Sequence, residues 1–356
     1  MNYNLKNFDL SEKNLNDEVI LKLNQYKSSK KEQIRVNKKD VLNTNFSLIS
    51  ETFKNSRNER FFIKNNEPFT IGMLSLAPHT LSSYNTCIYA GTCKEFCLGA
   101  NSLDENFKTF SDGLQLYRKT LRTVAFFENP KKFMEILCLD IVDFIKKNKN
   151  PVIRLNGYSD IIWEEEKFTL EDKILTKIKN QTTSLFPLYS NEVCEKYKLD
   201  IDDNKINTNL GEKYNIFELF SGILFYDYTK YTPEKRFYKY KNYHLVYSYD
   251  SNIDNYIKRK ENKFNKDICI IVKKELKKII LERKELFSNS IILNGDDYDC
   301  RILDNKVREN QCPLIILLEA VSPNNKYKSR KLDDSRYVFD DIEDFQNIFK
   351  MLKIKN

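Results

Sequence analysis

The sequence has few glycines and histidines and no long apolar run, and each shortage excludes a class of protein. Only eight of the 356 residues are glycine, and neither G-x-G-x-x-G nor G-x-x-x-x-G-K-S/T occurs. This excludes the glycine-rich phosphate loops of Rossmann and P-loop proteins. The two histidines, His79 and His244, argue against histidine-rich metal sites and Ser-His-Asp triads. No segment reaches the roughly 18 consecutive apolar residues of a membrane helix.

The first residues also lack the apolar segment of a secretory signal peptide. We therefore expect a cytoplasmic protein without a membrane partner. Disulfides are rare in the cytoplasm, so the eight cysteines are expected to be reduced. Clustered cysteines in a reducing compartment more often bind a metal or take part in chemistry.

Positive charge exceeds negative charge, with 59 Lys and Arg against 51 Asp and Glu and a net charge of +8. Two interpretations of this balance stay open. The abundance of Lys, Asn, Ile, Tyr and Phe is typical of an A+T-rich genome, and such a composition makes a protein basic without a functional reason. A basic balance also favours a polyanionic partner such as nucleic acid.

The order of apolar segments predicts an α/β fold in three regions. Residues 1–60 form a polar, Lys- and Asn-rich extension with one or two helices, residues 61–322 form the core, and residues 323–356 add a strand and a helix. Helices are predicted over about 104–149, near 252–261 and over 272–287. The predicted strands lie at 61–64, 69–77, 151–156, 223–229, 244–250, 267–272, 290–295 and 313–320. Alternating strands and helices imply a parallel sheet, and we predict a partial (β/α)6-type barrel.

Three of the cysteines, Cys87, Cys93 and Cys97, lie close together after the second of these strands with the spacing C-x5-C-x3-C. A helical turn would place the last two thiols on one face, and Gly91 would let the loop return to the first. Three interpretations stay open. Three thiolates can hold three irons of a [4Fe–4S] cluster, or they can hold zinc with a fourth ligand such as His79. Alternatively, they are small buried side chains.

Polar residues follow three further predicted strands. Small polar groups at a strand end can bind an amine, carboxylate or hydroxyl of a ligand, and Asn156, Ser159 and Asp160 occupy such a position. Equally, Ser159 or Asp160 can cap a helix through residues 163–166. Because the carboxyl ends of parallel strands form the active face of such folds, we expect these groups to meet the cysteine loop.

The later strands carry a similar pattern. Alternating Tyr and Phe at these strands also suits simple strand packing, and the acidic segment 294–304 is either a surface turn or part of the site. The polar candidates here are Asp227, Thr229, Lys230, Ser248, Asp250, Asp296, Asp299 and Arg301.

Taken in order, these segments resemble a phage family named gene product eighty-eight over about residues 70–320. The matching stretches are LSL (74–76), the three cysteines, GYSD (157–160), FYDYTK (225–230), YSYD (247–250) and GDDYDCRILD (295–304). A neighbouring phage family in turn looks like a divergent radical-SAM protein. The resemblance implies a phage-encoded or mobile-element protein of the host cytoplasm, with a radical-SAM-like barrel and a cluster on the cysteine loop.

The resemblance also implies ligands, with three departures from the pattern. Cys87, Cys93 and Cys97 would hold the [4Fe–4S] cluster, and its open iron would bind S-adenosylmethionine. The residues implied to contact that cofactor are Asn156, Ser159, Asp160, Ser248 and Asp250. The radical-SAM spacing C-x3-C-x2-C is replaced by C-x5-C-x3-C, Asn-Gly-Tyr-Ser-Asp stands in place of Gly-Gly-Glu, and Tyr298 replaces a family histidine.

Two functions follow as hypotheses. The first is a radical-SAM-like iron–sulfur enzyme that modifies nucleic acid, a nucleotide or a protein. The alternative is a non-catalytic nucleic-acid-binding protein in which zinc is structural, and whose affinity falls steeply with salt.

Overall fold

The computed structural model describes residues 57–91, 110–200, 213–231, 241–249, 267–284, 291–308 and 314–319. Shorter described pieces are 20–21, 48–51, 206–207, 338–339, 341–343 and 345–347, together with single residues 17, 93, 97, 201, 236 and 240. Side chains in the helix that begins at residue 110 are described from residue 118 onward. In these ranges, no helix is long and apolar enough to cross a membrane.

The described strands form one nine-stranded sheet. They are β1 (Ile49–Glu51), β2 (Thr70–Leu74), β3 (Pro151–Arg154), β4 (Leu224–Thr229), β5 (Tyr243–Ser248), β6 (Ile268–Val272), β7 (Ile291–Asn294), β8 (Leu314–Glu319) and β9 (Val338–Phe339). Their order is β1-β2-β3-β4-β5-β6-β8-β7, and β9 pairs with β6. The seven strands β2 to β8 run parallel, whereas β1 is antiparallel to β2. Among the described strands no pairing connects β1 with β7, so the sheet is open rather than closed.

Seven α-helices and one 3-10 helix accompany the sheet in the described ranges. They are α1 (Arg57–Asn65), α2 (Phe110–Glu128), α3 (Pro130–Lys147), α4 (Asp172–Thr182), α5 (Asn191–Lys196), α6 (Ile216–Leu219), α7 (Lys274–Glu282) and the 3-10 helix Arg301–Val307. The start of α3 illustrates why the sequence predicts it well. The Asn129 side chain caps the helix by accepting from the Lys132 N–H, and Pro130 occupies the first turn, where its missing N–H costs nothing.

One face of the parallel sheet is covered by helices. The other face is accessible from the carboxyl ends of the strands. Successive side chains of a strand point to opposite faces. Ile153, Phe225 and Leu245 belong to the same buried cluster as residues of α2 and α3, while Ile270 packs with residues of α7. We call this helix-covered side the outer face and the opposite side the inner face.

The amino half of the inner face is apolar and closed. Val152, Leu224 and Tyr226 lie there in one cluster with residues of α1, α5 and the 3-10 helix, among them Phe62 and Leu303. Burial of apolar surface stabilises a fold by about 25 cal/mol per Å². We therefore assign this cluster to the stability of the fold and not to a binding site. His244, whose Nε2 lies 3.3 Å from Asp267, is a polar exception near the amino end of β5; Arg154, Lys230 and Ser248 lie nearer the carboxyl ends.

Two local predictions differ from the structure, and a third cannot be compared with it. Residues 61–64 belong to α1 rather than to a strand; Phe61 and Phe62 contact the apolar cluster on the inner face while Ile63 is 75% exposed, an arrangement that suits a helix and not an alternating strand. Residues 163–165 form a turn, so the helix that Ser159 or Asp160 was expected to cap is absent there. The helix predicted near 252–261 lies outside the described residues.

The two terminal regions both contribute to the core sheet. β1 falls within the predicted N-terminal extension and pairs with β2. In the C-terminal region, β9 pairs with β6, and Phe345 is buried against the cluster around α7.

Candidate functional site

The carboxyl ends of β2, β3, β4 and β5 bring most of the predicted site residues to one edge of the sheet. These four strands are neighbours in parallel register. The loop that follows β2 carries the cysteines, and the loop that follows β3 carries Asn156 to Asp160. A backbone hydrogen bond of 2.8 Å, from the Asp160 N–H to the Thr86 carbonyl, joins these two loops. The expectation that the cysteine loop meets the other polar strand ends is therefore met.

Cys87 is held at this edge by polar contacts on several sides. Its sulfur accepts from the His79 backbone N–H at 3.5 Å, lies 3.7 Å from the Thr86 hydroxyl and donates to the Tyr158 carbonyl at 3.7 Å. The Thr86 hydroxyl donates in turn to the Ala77 carbonyl at 2.6 Å. Burial raises the pKa of the Cys87 thiol to about 12, so a metal that binds here must displace a proton.

The other two thiols lie on the same loop. Gly91 has a φ of 50°, the left-handed conformation that glycine favours, and successive turns link Cys87 through Ala90 to Cys93. Cys97 exerts an electrostatic influence on Cys87 and on Lys119 of α2. Three thiols on one loop have the donor chemistry of an iron–sulfur or zinc site. Nevertheless, no three His, Cys, Asp or Glu side chains in the described part of the chain converge tightly enough to hold a metal.

No disulfide joins the described cysteines.

The cysteine loop is flanked by an aromatic and a basic side chain. Lys119 lies over the ring of Tyr158, with its Nζ 3.4 Å from the ring centroid. Burial, together with nearby Arg122, lowers the pKa of Lys119 to about 8. This pair joins α2 to the loop after β3, beside Cys97.

Asn156 organises the loop after β3. Its Oδ1 accepts from the Ser159 hydroxyl, the Ile161 N–H and the Trp163 Nε1 at 2.9–3.1 Å, and its Nδ2 donates to the Ile161 carbonyl. Its backbone N–H donates to Asp227 at 2.7 Å. The side chains of Asn156 and Ser159 are thus engaged within the protein, and their predicted contact with a cofactor remains a prediction.

Asp160 belongs to an ion cluster on the outer face, which we call the sealed cluster: Asp160, Glu164, Asp227, Arg236 and Tyr243. All three nitrogens of Arg236 are bonded, Nη1 to Asp160 at 2.6 Å, Nε and Nη2 to Glu164 at 3.1 Å, and Nη2 also to the Tyr243 hydroxyl at 2.6 Å. The Arg236 side chain is fully buried. Burial raises the pKa of Asp160, and Arg236 offsets only part of that effect.

Asp227 completes the sealed cluster from β4. Its carboxylate accepts from the Asn156 N–H and from the Tyr243 hydroxyl, the latter at 3.2 Å. Burial raises the pKa of Asp227 to about 7, although Arg154 and Arg236 pull it in the opposite direction. A buried carboxyl near neutrality shows that the cluster is short of positive charge.

Two further predicted residues lie on the inner side of the same edge. The Lys230 ammonium donates to the Ser248 hydroxyl at 2.9 Å and to the Tyr249 carbonyl at 3.2 Å, while the Lys230 N–H donates to Asp160. Thr229 is buried beside them. Asp250, the other predicted cofactor contact after β5, lies outside the described residues.

The segment 294–304 contains a turn at residues 295–296 and several ion pairs. Lys277 bonds to Asp296, and Arg301 pairs with Asp304 at 3.4 Å with both side chains fully buried. Asp299 differs from these, because its side chain is 37% exposed and it bonds to Arg154 at 2.5 Å. Asp299 therefore reaches the inner face from this segment.

Arg154 is the residue that reasoning from the sequence missed. It ends β3, donates to Asp299, and lies 5.0 Å from the ring centroid of Tyr228. The signal was present, since an arginine interrupts the apolar strand PVIRL and the alternating tyrosines of FYDYT continue the same face on β4. The alternating tyrosines were compatible with simple strand packing or with a site. Tyr226 does pack in the apolar cluster, but its hydroxyl also donates to Asp299.

No curated protein and no solved structure matches the chain. Residues 44–316 match the family described as gene product 88. This range contains the cysteine loop, the sealed cluster, the ion pairs of segment 294–304 and strands β1 to β7 with half of β8. Because it covers well over half of the sequence, the chain belongs to the gene product 88 family.

Proposed function

We propose that this protein is an iron–sulfur enzyme of radical-SAM-like type, in which Cys87, Cys93 and Cys97 hold a [4Fe–4S] cluster. The observation that carries the proposal is the common edge of β2 to β5. There the three-thiol loop is bonded to the loop after β3, and the amine of Lys230 lies beside Ser248.

The sheet order supports the proposal. Strands β2 to β6 are adjacent in chain order and parallel, with helices on the outer face. We interpret this half of the sheet as a partial (β/α)6-type barrel whose inner face is the reaction chamber. The exchange of β7 and β8 in the order is a departure from simple sequential winding.

The residues of the edge divide into positioning and contacting roles. When bound, the cluster with S-adenosylmethionine would supply a radical that abstracts hydrogen from a substrate. Asn156 and Asp160 hold the loop after β3 in place through their internal hydrogen bonds. Ser248 and Lys230 face the chamber, where a hydroxyl and an ammonium can bind the polar groups of a cofactor.

Anaerobic purification tests the proposal directly. We expect a brown protein with about four irons and four sulfides per chain. Replacing Cys87, Cys93 and Cys97 together by Ala should remove the iron, whereas Cys194→Ala, a half-buried cysteine on α5, should retain it. After reduction, the iron-loaded protein should convert S-adenosylmethionine to 5′-deoxyadenosine.

The outcomes separate the two hypotheses. A colourless protein with one zinc per chain would favour the zinc-stapled nucleic-acid-binding protein, and its affinity for DNA or RNA should then fall steeply as salt rises. A brown protein that never forms 5′-deoxyadenosine would retain the cluster and overturn the radical chemistry.

A further inference from the structure

The carboxyl half of the inner face carries polar side chains from several strands around a small apolar cluster of Val246, Cys269 and Ile316. Strand register aligns Met73 with Arg154 and Ser248 with Cys269, and it places Tyr228 beside Val246 of β5. Side chains at alternate positions share a face, so these residues point to the same side as Lys230. This surface lies directly beyond the apolar cluster that closes the amino half.

Solvent reaches this surface at one position on each of five strands, near their carboxyl ends. Residues on the outer face at this level, such as Asp227 and Tyr247, are fully buried. By contrast, the inner-face positions are partly exposed on each of these strands. They are Met73, Arg154, Tyr228, Ser248 and Leu318. A ligand can therefore approach the inner face from the carboxyl ends of the strands.

Arg154 lies at the centre of this surface, held in one orientation and incompletely bonded. Nη1 bonds to Asp299, whose same carboxylate oxygen accepts from the Tyr226 hydroxyl at 3.1 Å. Nε is buried and has no hydrogen-bond partner within the described residues. A buried donor without an acceptor destabilises the folded protein, and such groups are rare in native structures.

The other arginines of the core do not share this arrangement. Arg236 has all three nitrogens bonded. Arg301 also has one nitrogen, Nη1, without a hydrogen bond within the described residues, but its side chain is fully buried and out of reach of a ligand. Among these three, Arg154 combines an unbonded nitrogen with a partly exposed side chain. A guanidinium edge binds two oxygens of a carboxylate or phosphate in one plane.

We propose that the inner face binds the carboxylate or phosphate group of a small organic molecule through the free edge of Arg154, with the Tyr228 hydroxyl as a second donor. Asp299 is a positioning residue, because it fixes the guanidinium without occupying that edge. The ring of Tyr228 and the Met73 side chain offer apolar surface to the rest of the molecule. The identification of the bound anion as a substrate rests on the proposed function.

Ligand-observed NMR with two small probes tests the site. Acetate and methylphosphonate each carry one methyl group, so saturation transfer from the full-length protein reports binding of either anion, and tert-butanol serves as the uncharged control. We expect transfer to at least one anion. Arg154→Gln should weaken that affinity about tenfold or more, as loss of a charged hydrogen bond requires. Tyr228→Phe, which removes only a hydroxyl, should weaken it less.

Arg308→Gln is the matched control. Arg308 also bonds to a buried aspartate, Asp267, but Asp267 directly precedes β6, at the amino end of the sheet. This variant should bind both probes like the wild type. Equal binding by the wild type and Arg154→Gln, or no transfer to either anion in the wild type, would overturn the proposal. A preference between the two probes identifies the anion as carboxylate or phosphate.

The same measurement separates this inference from the proposed function. The variant that lacks Cys87, Cys93 and Cys97 should still bind the preferred anion, since the bond that fixes Arg154 is made to Asp299 and not to a thiol. If iron is absent from the wild type but the anion binds at Arg154, the iron–sulfur proposal fails and the anion site stands. If iron is present and neither anion binds, the inner-face site fails alone.

Discussion

Two arginine–aspartate clusters lie on opposite faces of β3 and β4, and they differ in what surrounds them. In the sealed cluster, Arg236 is fully buried and every nitrogen is bonded within the protein. At the inner face, Arg154 is 15% exposed and its partner Asp299 is 37% exposed. The same pair of residue types therefore stabilises a loop in one place and presents a charge to a ligand in the other.

The environment decides this difference. Breaking a buried ion pair leaves an uncompensated charge in a medium of low dielectric constant, whereas an exposed pair is screened by water. We therefore expect changes in the sealed cluster to act on folding, and changes at Arg154 to act on binding with little effect on folding.

Arg236→Met should give the largest loss of stability. It removes the arginine that pairs with both Asp160 and Glu164, and the loss of this partner from two buried carboxylates should cost about 3–5 kcal/mol in the free energy of unfolding. Denaturant unfolding of the purified variant measures this. As a control, combining Arg236→Met with Asp160→Asn and Glu164→Gln should recover part of the loss. A loss below about 1 kcal/mol in the single variant would contradict a sealed, charge-bearing cluster.

Asp227→Asn should change the dependence of stability on pH. Because burial raises the pKa of Asp227 from 3.8 to about 7, the carboxyl loses its proton at a lower pH in the unfolded chain than in the folded protein. The wild type should therefore lose stability as pH rises from about 4 to about 7, by at most about 4 kcal/mol at about 1.4 kcal/mol per pKa unit. Asn does not titrate, so unfolding curves of the variant should show a flatter profile over this range. Parallel profiles for the two proteins would contradict the pKa direction.

The strands and loops that surround the site could be predicted from the sequence better than the side-chain contacts within it. Apolar strands, the break before Pro151 and the cysteine spacing were visible as local patterns, and the structure has strands and helices at most of the predicted positions, although residues 61–64 are helical. The sealed cluster was not predictable, because Arg236 lies 72 and 76 residues from Glu164 and Asp160. Only the fold brings them together, and it turns Asp160 from an exposed strand-end carboxylate into a buried partner.

Gly157→Ala tests the connection between the two clusters, since Gly157 lies midway between Arg154 and Asp160. A Cβ atom at this position would lie 2.8 Å from both the Leu74 carbonyl oxygen and the Met73 sulfur. The loop must shift to relieve this overlap, and we expect a loss of about 1–3 kcal/mol by denaturant unfolding. Gly91→Ala, where a Cβ meets nothing within 4 Å but φ is 50°, should lose about 1 kcal/mol from backbone strain alone. Equal losses would show that the close approach at Gly157 is unimportant.

Arg154→Gln should give the smallest change in stability, and it is the most direct test of the difference between Arg154 and Arg236. The Arg154–Asp299 pair is partly exposed, so its loss should cost about 0.2–1 kcal/mol, and relief of the unbonded Nε offsets some of that cost. The unfolding midpoint should move far less than in Arg236→Met, measured under the same conditions. If both variants lost the same free energy of unfolding, Arg154 would be a structural residue like Arg236. A residue kept for binding should be replaceable with little loss of stability.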